Sequence, residues 1–304
     1  MSFWIRCVVF ALVVFVGPEF AQAGASPLRV VATTGMVADV VRRVGGDTVE
    51  VVMLMGAGVD PHMYKPTPRD AQNLGSASVI FSSGLRLEGR MQDLFDKLRA
   101  GGRRVVSLGD TLPPEKILRL KGHAEHPDPH VWLDAALWSE TVPAVVRGLV
   151  EADPVHAERY ERNGQTVRQS LATLDGWLRE EAARLPESRR VLVTSHDAFN
   201  YFGRSYGFRV VGLQGVSTVS EAGLSDMASM VDFLKAHDTR AIFVESSVNP
   251  AAIRRIAEDS GAKIGGELFS DAMGQPGEFR QGFDTGTYEG MMKANLRTLV
   301  EALQ

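Results

Sequence analysis

Cysteine is all but missing from this chain: one residue, Cys7, occurs among 304. It opens an apolar run (CVVFALVVFV, 7–16) that follows Arg6 and precedes Ala21-Gln22-Ala23. That order of positive charge, apolar stretch and small-x-small pattern is the mark of a secretory signal peptide. Residues 1–23 are therefore expected to be a cleaved leader and the mature chain to be exported. A lipid-attachment cysteine would follow the apolar run, whereas Cys7 stands at its front, so a lipid anchor is not expected. Cleavage would leave no thiol at all. Disulfides and thiolate ligands are then excluded, and any metal site must be built from imidazole nitrogen and carboxylate oxygen.

Long apolar stretches are missing too. The run at 7–16 falls short of the ~20 residues a membrane helix needs, and nothing later in the sequence is longer, so no span is expected. Neither sign of charge dominates: 33 Lys and Arg against 37 Asp and Glu give −4. Loss of the leader removes Arg6 and Glu19 together and leaves that balance unchanged. Without a basic excess or a basic run, nucleic acid is not an expected partner. His-Glu-x-x-His, Gly-x-Ser-x-Gly and a phosphate-cradling glycine loop are all absent, which removes the commonest signatures of hydrolases and nucleotide enzymes. The pairs Gly45-Gly46, Gly101-Gly102 and Gly265-Gly266 read as turns.

What is present is a soluble globular composition, 44% hydrophobic and 23% charged. About 280 mature residues suffice for two domains with cores of ordinary size. Short apolar runs at 28–32, 49–54, 79–81 and 105–108 alternate with helix-like stretches at 37–44, 69–74 and 91–98. The rhythm returns with runs at 191–194, 209–213, 241–244 and 263–268, and helix-like stretches at 198–206, 225–236, 251–260 and 287–303. Such alternation predicts an α/β fold whose two lobes are each a mostly parallel sheet flanked by helices. Between the halves, 154–185 has no internal proline, and Tyr160, Val167, Leu171, Leu174 and Leu178 recur at three- and four-residue steps. This reads as one long amphipathic helix of ~50 Å joining the lobes, with a break at Gly164 or Gly176 as the alternative. The expected division is a leader (1–23), an N-terminal lobe (24–153), the connecting helix (154–185) and a C-terminal lobe (186–304).

Asp-Pro-His occurs twice, at 60–62 and 128–130, and Ser195-His196-Asp197 and Ser270-Asp271 follow. A lone histidine is most often an ordinary surface or core residue. Here His62, His130, His196 and Asp271 lie roughly 65 to 75 residues apart, two in each half, each just past a strand-like run. Open parallel sheets bind ligands beyond the carboxyl ends of their strands. The joint pattern therefore points to a metal site in a cleft between lobes. Asp60, Asp128 and Asp197 could each accept the second imidazole N–H of the neighbouring histidine, or serve as turn and cap residues. Thr67-Pro68-Arg69-Asp70 reads as a capped helix start that would hold the His62 loop. His123 and His126 read as solvated loop residues, and His156 and His237 as surface residues.

Seven stretches in order carry a resemblance: VVATTGMVADVVRRVGGD (30–47), GVDPHMYKPTPRD (58–70), DPHVWLD (128–134), VTSHDAFNYFGRSYG (193–207), GVSTVSEAG (215–223), FVESSVNP (243–250) and GGELFSDAMG (265–274). Together they resemble the TroA-like solute-binding proteins (cluster A-I), the periplasmic metal-binding subunits of ATP-binding-cassette (ABC) importers for manganese, zinc and iron. The resemblance implies a two-lobed fold on a rigid helix, a monomer in the periplasm, and a membrane permease of an ABC importer as partner. It implies one divalent metal ion as cargo, Mn2+, Zn2+ or Fe2+, held by His62, His130, His196 and Asp271. Zinc scavengers of the family often carry a long His-rich loop before the second Asp-Pro-His; here that loop holds only His123 and His126. Two other classes share this ligand set: a secreted zinc metallohydrolase, which needs a position open to water, and an adhesion protein with a structural metal. Because each histidine must be neutral to bind, affinity is expected to fall as pH drops through ~6.5.

Overall fold

The computed structural model describes residues 26–119, 126–237, 239 and 241–304. The leader, Cys7 and His123 lie outside the described residues. The first half runs β1 (Leu28–Ala32), α1 (Gly35–Gly45), β2 (Val49–Met53), α2 (Pro68–Ser76), β3 (Val79–Ser82), α3 (Gln92–Ala100), β4 (Val105–Ser107), α4 (Ala135–Ser139) and α5 (Val142–Ala152). The long helix α6 (Ala157–Ala182) leads to β5 (Val191–His196), α7 (Asn200–Tyr206), β6 (Arg209–Gln214), α8 (Leu224–Ala236), β7 (Ala241–Glu245), α9 (Ala251–Ser260) and β8 (Lys263–Leu268). A short antiparallel hairpin, β9 (Phe279–Arg280) with β10 (Phe283–Asp284), precedes α10 (Tyr288–Leu303).

The first four strands form one parallel sheet in the order β2-β1-β3-β4. Alternation along each strand sends successive side chains to opposite faces. Val30, Ala32, Val79 and Phe81 enter the main core, while Val31 and Ile80 enter a second cluster with Leu74 and Phe95. The second half is two parallel pairs, β5-β6 and β7-β8, with β5 running beside β7. Its faces divide the same way: Leu192, Ala241 and Phe243 face the main core, and Val193, Ile242 and Val244 the other. The main core is continuous from α1 through α6 to α10, so the two halves share apolar packing along the connecting helix.

That helix is shorter than expected. Pro154–His156 forms a 3-10 turn, and the 26 residues of α6, about 39 Å at 1.5 Å each, end at Ala182. Neither Gly164 nor Gly176 breaks it. Gly164 is instead a contact point, since a Cβ there would sit 2.6 Å from Val146 Cγ2 of α5. The pairs Gly45-Gly46 and Gly101-Gly102 do turn the chain, with Gly46 and Gly102 at positive φ. Gly265-Gly266 does not; it lies inside β8, beside a register irregularity between Ile242 and Phe243. There Gly265 meets the Phe243 ring, which a Cβ would approach to 2.6 Å.

Helices α4 and α5 were not expected from the pattern. Buried Val142, Ala144, Val145, Gly148 and Leu149 form the packed face of α5, which lies against β3, β4, α1 and α6. Arg147 and Glu151, one turn apart, stay exposed on the opposite side, so α5 keeps the polar stripe of an ordinary amphipathic helix.

Candidate metal centre

His62 lies in the loop that follows β2, and the start of α2 anchors that loop. Thr67 Oγ1 accepts the Asp70 N–H at 3.2 Å, while Asp70 Oδ2 accepts the Thr67 N–H and the Tyr64 hydroxyl, each at 2.7 Å. The expected capping box is thus present. His130 follows no strand among the described residues; it is preceded by an isolated antiparallel bridge, Arg119 with Pro127, and starts the 3-10 turn Val131–Leu133. The strand-end expectation fails there, because loop tethers rather than a sheet set its position. Tyr201 donates to Asp128 O at 2.8 Å, and Trp132 Nε1 donates to Ser270 O at 2.9 Å. His196 is the last residue of β5. Asp271 lies just beyond β8, where Asn295 of α10 grips the chain: its Oδ1 accepts the Phe269 N–H at 2.9 Å and its Nδ2 donates to Phe269 O at 2.7 Å.

These four side chains converge. His130 Nε2 lies 3.4 Å from His62 Nε2 and 3.3 Å from His196 Nε2. Asp271 Oδ1 is 3.3 Å from His130 Nε2, and Oδ2 is 3.2 Å from His196 Nε2 and 3.8 Å from His62 Nε2. One donor atom from each residue can be chosen so that all lie within 4.8 Å of one another. A tetrahedron with metal–ligand bonds of 2.0–2.1 Å has edges of ~3.4 Å, which matches the shorter contacts. The cluster is closed: His130, His196 and Asp271 are at most 1% exposed and His62 is 5%. Neither oxygen of Asp271 accepts a well-directed hydrogen bond; both face imidazole nitrogens instead.

Tautomers are set from outside the cluster. His130 Nδ1 lies 2.7 Å from Asp128 Oδ1, which also accepts the His130 backbone N–H at 3.0 Å. Of the three neighbouring aspartates, this one meets the expectation. Asp60 accepts the His62 backbone N–H at 2.8 Å and the Thr218 hydroxyl at 2.6 Å, and Asp197 accepts the Gly212 N–H at 3.0 Å. The acid beside the His196 ring is Glu245, at the end of β7, with Oε2 2.7 Å from Nδ1 and Oε1 accepting the His196 backbone N–H at 3.0 Å. Sequence reasoning missed Glu245, Asn295 and Trp132. Glu245 had a usable signal, since it closes an apolar run as His196 does.

Burial and charge set the protonation of the metal-free cluster. Burial, reinforced by the neighbouring imidazoles and only partly offset by Asp271, pushes His62 down to about 3. Burial also opposes charge on His130 and His196, but nearby carboxylates outweigh it. Asp128 and Asp271 raise His130 to about 9, and Glu245 and Asp271 hold His196 well above its ordinary value. Asp271 is held well below the carboxylate range, because His196 and His130 override its desolvation. In the metal-free cluster the carboxylates thus favour positive charge on His130 and His196, where a cation would also be stable.

The other described histidines stand apart, as expected. His126 is exposed, His156 pairs with Asp153 at 2.6 Å, and His237 stacks on Phe233 at 4.2 Å.

Two parallel α/β halves closed on a buried three-imidazole, one-carboxylate cluster define a metal-binding class of protein. The family model "Zinc-uptake complex component A periplasmic" matches residues 30–302, and the chain belongs to that family. It is 41% identical over 305 residues to the manganese-binding lipoprotein MntA of Bacillus subtilis, covering 98% of this chain and 97% of that one. It is 46% identical over 292 residues to the zinc-binding protein TroA of Treponema pallidum, covering 94% and 92%. The solved structure of periplasmic zinc-binding protein TroA from Treponema pallidum superposes with a TM-score of 0.87 at 43% identity, covering 92% of this chain and 99% of that one.

Proposed function

We propose that this chain is the solute-binding subunit of an ABC importer, and that it captures one divalent transition metal through His62, His130, His196 and Asp271. The observation that carries this reading is Asp271. Its buried carboxylate converges with three imidazole nitrogens, one donor atom from each residue lying within 4.8 Å of the others, which supplies a dication with three neutral donors and one negative charge. The cargo is manganese or zinc, with iron as the third candidate. Imidazole favours zinc and iron, while a carboxylate that can turn both oxygens to the ion makes a fifth ligand that manganese tolerates better. The two curated relatives described above are named one for manganese and one for zinc.

The same geometry supports capture rather than catalysis, since Asp271 would take the position a zinc hydrolase leaves to water. The lobes in this reading are 24–153 and 186–304 on either side of the 154–185 connection, and the loaded, monomeric protein docks on the permease from the periplasmic side after loss of the leader. No helix among the described residues is long and apolar enough to cross a membrane. The test is elemental analysis of the protein from cells grown without added metal, then competition of zinc, manganese and iron(II) on the stripped chain. One equivalent of manganese or iron that zinc displaces slowly assigns manganese/iron import. One equivalent of zinc with weak manganese binding assigns zinc import, and absence of any metal overturns the reading.

A further inference from the structure

The four candidate ligands are buried, so metal can reach them only if part of the wall moves. The hydrogen bonds around the site distinguish a fixed side from a loose one. His130 belongs to a segment tied to the C-terminal half at several points. Tyr201 donates to Asp128 O at 2.8 Å, Asn200 Nδ2 to Asp128 Oδ2 at 3.1 Å, Trp132 Nε1 to Ser270 O at 2.9 Å and Tyr288 to Trp132 O at 2.6 Å. His196 and Asp271 sit at strand ends within that same tied body.

The His62 segment is different. Residues 54–67 contain no helix or strand, and their anchors at Tyr64, Thr67 and Asp70 are all on the N-terminal side. Among the described residues, one hydrogen bond joins this segment to the C-terminal half: Thr218 Oγ1 donates to Asp60 Oδ2 at 2.6 Å. Thr218 belongs to a stretch, 215–223, that is also without helix or strand, and Val219 beside it is 55% exposed. His62 is also the most exposed of the four candidate ligands. Two irregular segments thus meet through one hydrogen bond, from the Thr218 hydroxyl to the Asp60 carboxylate two residues before His62.

We infer that the His62 loop is the moving wall of the site, and that the Asp60–Thr218 hydrogen bond is the latch that times metal entry and exit. This rests on the metal-capture reading above. Opening the latch swings one imidazole away and leaves the metal on His130, His196 and Asp271, a half-released state that a docked permease could complete. Thr218 is a positioning residue, not a ligand. A latch present in both the loaded and the empty chain slows capture and release alike, whereas a residue that only aims His62 would affect affinity.

The experiment compares wild type, Thr218→Val and Thr218→Ser on the full mature chain, using zinc alone with a chelating dye in stopped flow. Thr218→Val keeps the shape and removes the hydroxyl. It should speed both capture and release by roughly tenfold, the scale of a hydrogen bond to a charged acceptor, with Kd changed less than about threefold. Thr218→Ser should restore wild-type rates. Unchanged rates in the Val variant, or faster release with unchanged capture, would overturn the latch. A second readout needs no metal: amide hydrogen exchange of residues 57–66 in the stripped chain should be faster in Thr218→Val than in wild type. If wild type binds no zinc, the capture reading fails, while equal exchange in the two chains would separately overturn the latch.

Discussion

Metal binding to this cluster should expel two protons, and the number follows from the environments of its three histidines. In the metal-free chain His62 is already neutral, since burial drives it to about 3. His130 is raised to about 9 and His196 well above 6.5, so both carry protons at neutral pH. Each must free its Nε2 lone pair to bind metal. One dication entering as two protons leave keeps the charge of the buried site unchanged, which suits a closed, low-dielectric volume. With two protons released, the apparent dissociation constant should fall about a hundredfold for each unit by which pH rises toward the folded pKa values, at about 1.36 kcal/mol per proton per unit. This moves the window above the ~6.5 expected for free imidazole, because Asp128, Asp271 and Glu245 outweigh desolvation. The sign for stability of the empty chain is opposite. A raised imidazole pKa contributes stability that is fully present below ~6.5 and is lost as pH rises through about 9 for His130. The assay is titration calorimetry of zinc into stripped protein at about pH 7.5 in two buffers of different ionisation enthalpy, with affinity followed from about pH 6.5 to 8.5. A count near zero, or an affinity that is flat across that range, would refute the reasoning.

Glu245→Gln should lower metal affinity by about ten- to a hundredfold, the usual effect of losing a partner behind a ligating imidazole, and the calorimetric proton count should fall toward one; a count unchanged at two would show that Glu245 does not set the charge of His196. Asp271→Ala should leave a folded chain whose metal affinity, by dye competition, drops more than about a hundredfold, since the proposed site then loses its one charged donor; unchanged affinity would remove Asp271 from the site. Asn295→Leu strands the buried N–H and C=O of Phe269 and should cost about 2–4 kcal/mol in urea unfolding, a loss below about 0.5 kcal/mol arguing that the chain re-pairs them. His156→Ala, far from the cluster, should change neither affinity nor metal preference, and a large effect on either would mean that the site is misplaced.

Much of this was legible in the sequence, for local reasons. Strands and helices from β1 to β4, from β5 to β8, and α10 could be read because each half-buried element alternates or repeats its apolar residues at its own period; the hairpin β9–β10, two residues per strand, carries too short a pattern to read. The cap at Thr67 and the turns at Gly46 and Gly102 follow from neighbours within a few residues. With Cys7 the one thiol in the chain, the sequence alone was also enough to nominate His62, His130, His196 and Asp271, because few other residue types could hold a metal. What tertiary structure alone decided was which groups meet across the chain. Asp197 is His196's neighbour in sequence, yet Glu245 reaches the ring, because β5 runs beside β7 and both end at the same edge. The protonation of the empty cluster depends on that adjacency as well. Local pattern dictates what each segment becomes, but pKa values and ligand geometry depend on distances of a few ångströms between residues that only packing brings together.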